Sequence, residues 1–219
     1  MDEFIKYHWT KISPETHLSK SLELYEEMEG RRSIRHFSSE TVPKEALLNA
    51  IRIASTAPSG ANKQPWTYCL VSSPEIKKQI RLAAEEEEKL NYSERMSETW
   101  LEDLKKFKTN WEKPFLEIAP YLIVVFKQVY EDQNETKKTN YYVNESVGLS
   151  VGFLLMALHQ IGLYALTHTP SPMNFLSKIL KRPSNERPFL LIPVGYPAAG
   201  IEVPNIKRKG LGEMLVEYL

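Results

Sequence analysis

Ala57-Pro58-Ser59-Gly60-Ala61-Asn62-Lys63-Gln64-Pro65-Trp66 is the stretch whose reading decides the fold. Its prolines, glycine and asparagine lie too close together for a regular helix or a central strand. Upstream, Pro43 starts a helix that places Leu47, Leu48, Ile51 and Ala54 on one face. Downstream, residues 67–71 read as a short strand of the buried type. The chain therefore turns sharply between a helix and a strand. Ser59 and Gly60 at such a bend present backbone N–H groups, as anion-binding and cofactor-binding turns do. An ordinary helix-to-strand loop accounts for the stretch equally well.

The 219 residues fit one domain, 1–219, with a sizeable core. Lys+Arg and Asp+Glu balance at 28 each, so no global field recruits nucleic acid or a membrane surface, and any anion site is local. The single cysteine, Cys69, excludes an intrachain disulfide and reads as a buried core thiol in a strand. The first residues lack the cationic start and apolar block of a signal peptide. The most apolar stretch, 147–158, is too short to span a bilayer. The expectation is a soluble, cytoplasmic protein.

Working outward, Ser13-Pro14 opens a helix that Gly30 closes. Arg31-Arg32-Ser33-Ile34-Arg35 follows. If extended, it puts Arg31, Ser33 and Arg35 on one side, a grip suited to a phosphate monoester. A solvated basic turn fits the same residues. Ser73-Pro74 caps a long helix with Ile76, Ile80 and Ala83 inward. Most of Glu85-Glu86-Glu87-Glu88, in its second half, reads as a solvated face. Glu88 and Tyr92 differ, since at i and i+4 they share a face and could hold one ligand. Residues 94–112 read as a further helix with Trp100, Leu101, Leu104 and Phe107 inside, which makes 75–113 a helical lid.

Residues 121–126 carry the strongest strand signal, and 129–139 read as a polar loop. A long apolar helix over 140–161 stops at Gly162, and its Gly148 and Gly152 permit close approach by another backbone, a second subunit among the candidates. A strand at 163–166 leads to Thr167-His168-Thr169-Pro170. A short helix from Pro172 to about residue 180 and a strand at 189–196 follow. The tail, 201–219, carries Lys207-Arg208-Lys209 and is expected to wrap a neighbouring surface. The order predicts an α+β domain with about four core strands and helices on both sides.

The sequence lacks G-x-x-x-x-G-K-[ST], G-x-G-x-x-G, G-x-S-x-G and H-E-x-x-H, and His8, His17, His36, His159 and His168 are scattered. No metal site is expected. Phosphate-type grips at 31–35 and Arg208, the bend at 58–61, and the hydroxyls of Thr167 and Thr169 remain. That set suits a ligand with one phosphate and a flat polar ring, such as flavin mononucleotide.

R-R-S-I-R, A-P-S-G-A-N-K-Q-P-W and L-L-I-P-V-G-Y-P resemble the nitroreductase superfamily of homodimeric FMN proteins. E-E-E-E-K-L-N-Y, D-L-K-K-F-K-T-N-W-E-K-P, F-K-Q-V, T-H-T-P and V-P-N-I-K-R-K resemble the iodotyrosine deiodinase family within it. The match runs over roughly 30–209. The resemblance implies a nitroreductase-like fold, a central mixed sheet of about four to five strands flanked by helices. It also implies a homodimer whose C-terminal tail wraps the partner.

Position by position, the resemblance implies that Arg31, Arg32, Ser33 and Arg35, joined by Arg208, hold the FMN phosphate and ribityl end. Pro58 and Ser59 lie against the flavin. Thr167, His168 and Thr169 line the isoalloxazine, with Thr169 the catalytic residue that hydrogen-bonds N5 and favours one-electron steps. The Ala61 N–H contacts a substrate phenolate, while Glu88, Tyr92 and Lys113 bind an amino-acid zwitterion. Lys113 also reads as a helix-end cation on the dipole, and His168 as a buried, hydrogen-bonded histidine. The implied activity is reductive removal of iodide from halotyrosines. Two alternatives stay open. One is a general NAD(P)H-dependent FMN nitroreductase or quinone reductase; the other is a flavin- or halotyrosine-binding protein without turnover. No NAD(P)H pocket is identifiable, which points to a separate reductase as electron donor.

Overall fold

The computed structural model describes residues 4–133 and 136–219. The chain divides into two compact units, Met1–Arg31 and Arg32–Leu219. The first is essentially α1 (Pro14–Glu29), capped by Ser13, whose hydroxyl accepts from the Thr16 N–H. Gly30 ends it, and the Arg31 N–H returns to the Met28 carbonyl at 3.2 Å.

The second unit is built on β2 (Tyr121–Gln128), where Leu122, Ile123, Val124, Val125 and Phe126 are consecutive and all fully buried. An unbroken apolar strand needs cover on both faces. It lies inside a four-stranded sheet with β1 (Trp66–Val71), β5 (Tyr164–Ala165) and β6 (Glu186–Gly195), in the order β1-β2-β6-β5. All named pairings are antiparallel, and a parallel bridge of Ser33 to Ala165 gives the sheet its mixed character.

Side chains alternate across a strand, so Ile123 and Val125 face one layer and Leu122, Val124 and Phe126 the other. On the first face pack α2 (Lys44–Ala54) and α6 (Val143–Gln160), through Leu47, Ala50, Val151, Leu154 and Leu158. On the second pack α3 (Pro74–Leu90), α5 (Phe115–Ile118) and α7 (Asn174–Ile179), through Ile80, Ala84, Leu116 and Leu176. Each fully buried aliphatic side chain contributes about 1.5–3 kcal/mol. Ser150, inside the apolar helix, donates to the Ala54 carbonyl at 2.7 Å and meets the Tyr68 hydroxyl at 2.6 Å, so its burial is satisfied.

Four expectations need correction. First, β1 is an edge strand and mostly half-buried, not of the buried type; Cys69 is likewise half-buried. Second, residues 94–112 are not one helix. A π-helical turn spans Asn91–Arg95, Met96 is extended, and Ser97 caps a new α4 (Glu98–Lys105) by accepting from the Trp100 N–H. The cap restarts the chain in a new direction, and Trp100 stays 54% exposed rather than inside. Third, the loop expected at 129–139 contains a hairpin of β3 (Tyr130–Gln133) and β4 (Thr136–Thr139). Its register sets Glu131 opposite Lys138 and Asp132 opposite Lys137. Cross-strand charge complementarity stabilises this ribbon; residues 134–135 lie outside the described residues. Fourth, Glu85 is buried as well as Glu88, so the solvated part of the acidic run is smaller than expected.

Among the described residues, no helix is long and apolar enough to cross a membrane.

Candidate active site

A cleft of about 580 Å³ opens beside the second face of the sheet. Its floor is the segment after β5. The His168 N–H donates to the Leu191 carbonyl at 2.9 Å and the Leu191 N–H returns to the His168 carbonyl at 3.0 Å, which pins this segment against β6. Thr167 and Thr169 flank His168 with exposed side chains, as alternation along an extended chain requires. His168 turns the other way, its ring 5.6 Å edge-on from Phe115. Its Nε2 is buried with no hydrogen-bond partner among the described residues. Burial lowers the imidazole from 6.5 to about 3, with Lys113 and Arg35 adding to the effect, so the ring is neutral.

The opposite wall comes from α3 and the chain before α5. Glu88 and Lys113 form a buried ion pair, Oε2 to Nζ 3.4 Å. Lys113 Nζ also donates to the Asn110 carbonyl and sits 5.4 Å from the Tyr92 ring centroid. Burial pushes Glu88 up and Lys113 down, each toward its neutral form, and their mutual attraction opposes both shifts. Burial also pushes the Tyr92 hydroxyl up, against a hydrogen bond with Thr109. Asn91 ties this wall to the floor, its Nδ2 donating to the Ser171 carbonyl at 2.9 Å. Arg35 reaches the cleft from the sheet side with its guanidinium 4.9 Å from the Phe107 centroid, and burial lowers its pKa.

Of the residues singled out in the sequence, Arg35, Glu88, Tyr92, Lys113, Thr167, His168 and Thr169 therefore line one cleft. Ser33 lies with Arg35 on an adjoining cleft of about 810 Å³. Arg32 donates to the Pro204 carbonyl. Arg31 closes the first unit. Arg208 is exposed in the tail.

Pro58, Ser59 and Ala61 do not line the cleft. Their loop packs instead on the start of α6, where the Gly60 N–H meets Ser146 Oγ at 3.3 Å. A Cβ on Gly60 would stand 3.0 Å from the Tyr142 ring and 3.1 Å from the Tyr141 carbonyl oxygen, a tight approach that glycine relieves. Ser59 Oγ accepts from the Gln64 N–H at 2.9 Å. Ala61, Asn62 and Gln64 all hold positive φ, at 49, 53 and 47°. Such conformations cost a non-glycine residue about 1 kcal/mol or more each and gather at ligand sites.

The sequence reading missed Asn91, Thr109, Phe115 and Glu85. Asn91 and Thr109 stand inside the quoted lid motifs, and their neighbours Tyr92 and Lys113 were the available signal. Glu85 carries none that separates it from Glu86 or Glu87. Among the described residues, no group of His, Cys, Asp and Glu could hold a metal ion.

The sequence matches the nitroreductase family over residues 28–196. A curated iodotyrosine deiodinase of Haliscomenobacter hydrossis is 59% identical over 216 residues, covering 98% of this chain and 97% of the relative. One from Hydra vulgaris is 45% identical over 219 residues, covering 99% of this chain and 80% of the relative. A crystal structure of oxidized iodotyrosine deiodinase bound to FMN and 3-iodo-L-tyrosine superposes with a TM-score of 0.78 at 35% identity, covering 90% of this chain and 98% of that one.

Proposed function

The chain belongs to the nitroreductase family and, within it, to the iodotyrosine deiodinases, and we infer that it is an FMN-dependent reductive dehalogenase converting 3-iodotyrosine and 3,5-diiodotyrosine into tyrosine and iodide. The observation that carries the reading is the buried pair of Glu88 and Lys113 beside Tyr92 at one end of the cleft. Two opposite charges held out of water match an amino-acid zwitterion: Glu88 takes the ammonium, Lys113 the carboxylate, and Tyr92 walls the side. Thr167, His168 and Thr169 lie across the same cleft.

The residues fit FMN. Two exposed hydroxyls, Thr167 and Thr169, stand on one side of the segment that His168 pins to β6, which suits the polar rim of a flat ring. Thr167, His168 and Thr169 take that rim, and Arg31, Arg32, Ser33, Arg35 and Arg208 take the phosphate and ribityl end. FMN held there would, once reduced, supply the two electrons that loss of halide requires, with a proton from solvent taking the halide's place. The chain does the rest. The zwitterion grip draws the lid, 75–113, over the ring and excludes water. Thr169 donates a hydrogen bond at the flavin edge. The Ala61 N–H steadies the phenolate.

Ala61, Pro58 and Ser59 sit on α6, apart from the cleft, so the reading includes a homodimer in which one protomer's loop completes its partner's site. Gly148 and Gly152 support it: a Cβ on either meets nothing within 4 Å among the described residues, and Leu149 between them is 51% exposed. The tail, docked on its own core through Ile201 and Val203 and exposed from Asn205 onward, wraps the partner, and a separate NAD(P)H-dependent reductase supplies electrons.

The test is anaerobic. The holoprotein is reduced with dithionite, freed of excess, and mixed with diiodotyrosine while flavin absorbance and iodide are followed. Prompt reoxidation with stoichiometric iodide is expected. A flavin that stays reduced, yet is reoxidised at once by a nitroaromatic, overturns the reading in favour of a general nitroreductase.

A further inference from the structure

Lys77, Arg81, Glu85 and Glu88 follow one another along α3 at helical spacing and so share a face. All four address residues 113–119. Lys77 Nζ donates to the Glu117 and Ala119 carbonyls, both at 2.8 Å. Arg81 Nη1 lies 3.7 Å from the Glu117 carboxylate. Glu85 Oε1 accepts from the Lys113 N–H at 2.7 Å and from Arg81 Nε at 2.8 Å. Glu88 meets Lys113 Nζ. The short α5 is thus held at its carbonyl end by Lys77 and at its entry by Glu85.

Glu85 lies outside the cleft, so it touches no ligand there. Its effect runs through Lys113. That residue's buried N–H takes its acceptor from a side chain rather than a regular backbone ladder, and a buried donor must be satisfied. Arg81 in turn orients the carboxylate by a charge-assisted bond. A flexible lysine stem leaving a fixed backbone reaches far fewer positions than one leaving a loose loop.

We propose that Glu85 is a positioning residue for substrate recognition, its buried carboxylate fixing the Lys113 backbone so that the ammonium stands opposite Glu88 at the separation an amino-acid zwitterion needs. The proposal rests on the halotyrosine reading of the cleft.

The experiment uses holoprotein of the wild type, Glu85→Ala and Glu85→Gln. Dissociation constants are measured by flavin fluorescence for 3-iodo-L-tyrosine and for 2-iodophenol, which keeps ring and halogen but lacks the zwitterion; FMN affinity is measured alongside. Glu85→Ala should weaken 3-iodo-L-tyrosine by about tenfold or more, with 2-iodophenol and FMN within about twofold of the wild type. Glu85→Gln keeps an acceptor for the Lys113 N–H and should fall between wild type and Ala. If the Ala variant does not fold, the Gln variant carries the comparison, and an unchanged 3-iodo-L-tyrosine affinity there overturns the proposal. Equal loss for all three ligands also overturns it, by making Glu85 a general structural support. A wild-type protein that binds no 3-iodo-L-tyrosine instead overturns the proposed function.

Discussion

Glu88 and Lys113 stand 3.4 Å apart at exposures of 6% and 3%, so the protein carries a nearly water-free ion pair at the head of its cleft. Neither charge is solvated, and each depends on its partner or on a ligand that replaces it. Glu88→Gln keeps the shape and removes the charge that would meet a substrate ammonium. Halotyrosine binding should weaken by about 1.5–3 kcal/mol, the scale of hydrogen bonds to charged groups. Reduction of a nitroaromatic without the amino-acid group should barely change. Titration with diiodotyrosine and a parallel nitroreductase assay separate the two effects; equal losses in both would count against the role of Glu88.

The same pair should add no stability over an apolar replacement. Glu88→Leu combined with Lys113→Met fills similar volume without two desolvated charges, and such swaps are often neutral or stabilising by about 1–4 kcal/mol. Either single change leaves one buried charge unpaired and should destabilise by about 3–5 kcal/mol. Urea midpoints of the four proteins form a double-mutant cycle that tests this. The double variant should be as stable as the wild type and blind to halotyrosine. A double variant less stable than both single variants would refute the argument.

His168 gives the fold a pH dependence whose sign is fixed. In the folded protein, burial first, then Lys113 and Arg35, lower its imidazole from 6.5 to about 3. Between those values the unfolded chain takes up a proton that the folded one does not. Stability should therefore be full above pH 6.5 and fall as pH drops toward 3, by up to about 1.4 kcal/mol per unit from this residue. In His168→Gln that component should vanish, so the stability loss between pH 7 and 5 should be smaller than in the wild type. Denaturant titrations at the two pH values decide it, and identical slopes would show that the ring titrates normally.

What could be read from the sequence follows from how local each cause is. The run at 121–126 is unmistakable because a strand covered on both faces must be apolar throughout. The Ser73-Pro74 start of α3 is a property of a few adjacent residues and was legible for the same reason. Glu85 was not. Which of four successive glutamates turns inward depends on how α3 is rotated against residues 113–119, and no spacing within the run encodes that rotation. The 94–112 helix was overextended because its amphipathic period continues past Ser97, whereas the cap there ends one helix and begins another. Lys113 was found through its resemblance to a family motif, but its ion pair with Glu88 is visible only in the fold.

Gly195, at the end of β6, faces the Pro120 ring, and a Cβ there would stand 2.6 Å from Cδ and 2.9 Å from Cγ. A proline ring cannot swing aside as a long side chain can. Gly195→Ala should therefore cost about 1–3 kcal/mol through overpacking, and the Tm should fall by about 2–4 °C per kcal/mol. Calorimetry checks this. An unchanged Tm would show that the Pro120 corner yields without strain.

The dimer is testable at α6. The loop carrying Ala61 rests on the start of that helix through the Gly60 contact to Ser146, while Glu88 and Thr169 lie on the far face of the sheet. One protomer alone then holds only part of the proposed site. Gly152 sits on the open side of α6, where a Cβ meets nothing within 4 Å among the described residues, so a larger side chain there should not harm the isolated fold. A glutamate would place an unpaired charge in the interface that the proposal puts there. Gly152→Glu should give half the wild-type mass by light scattering, keep its helical circular dichroism, and lose both FMN and halotyrosine binding. A folded monomer that retained FMN and bound halotyrosine would show that one chain suffices and that the 57–66 loop serves another purpose.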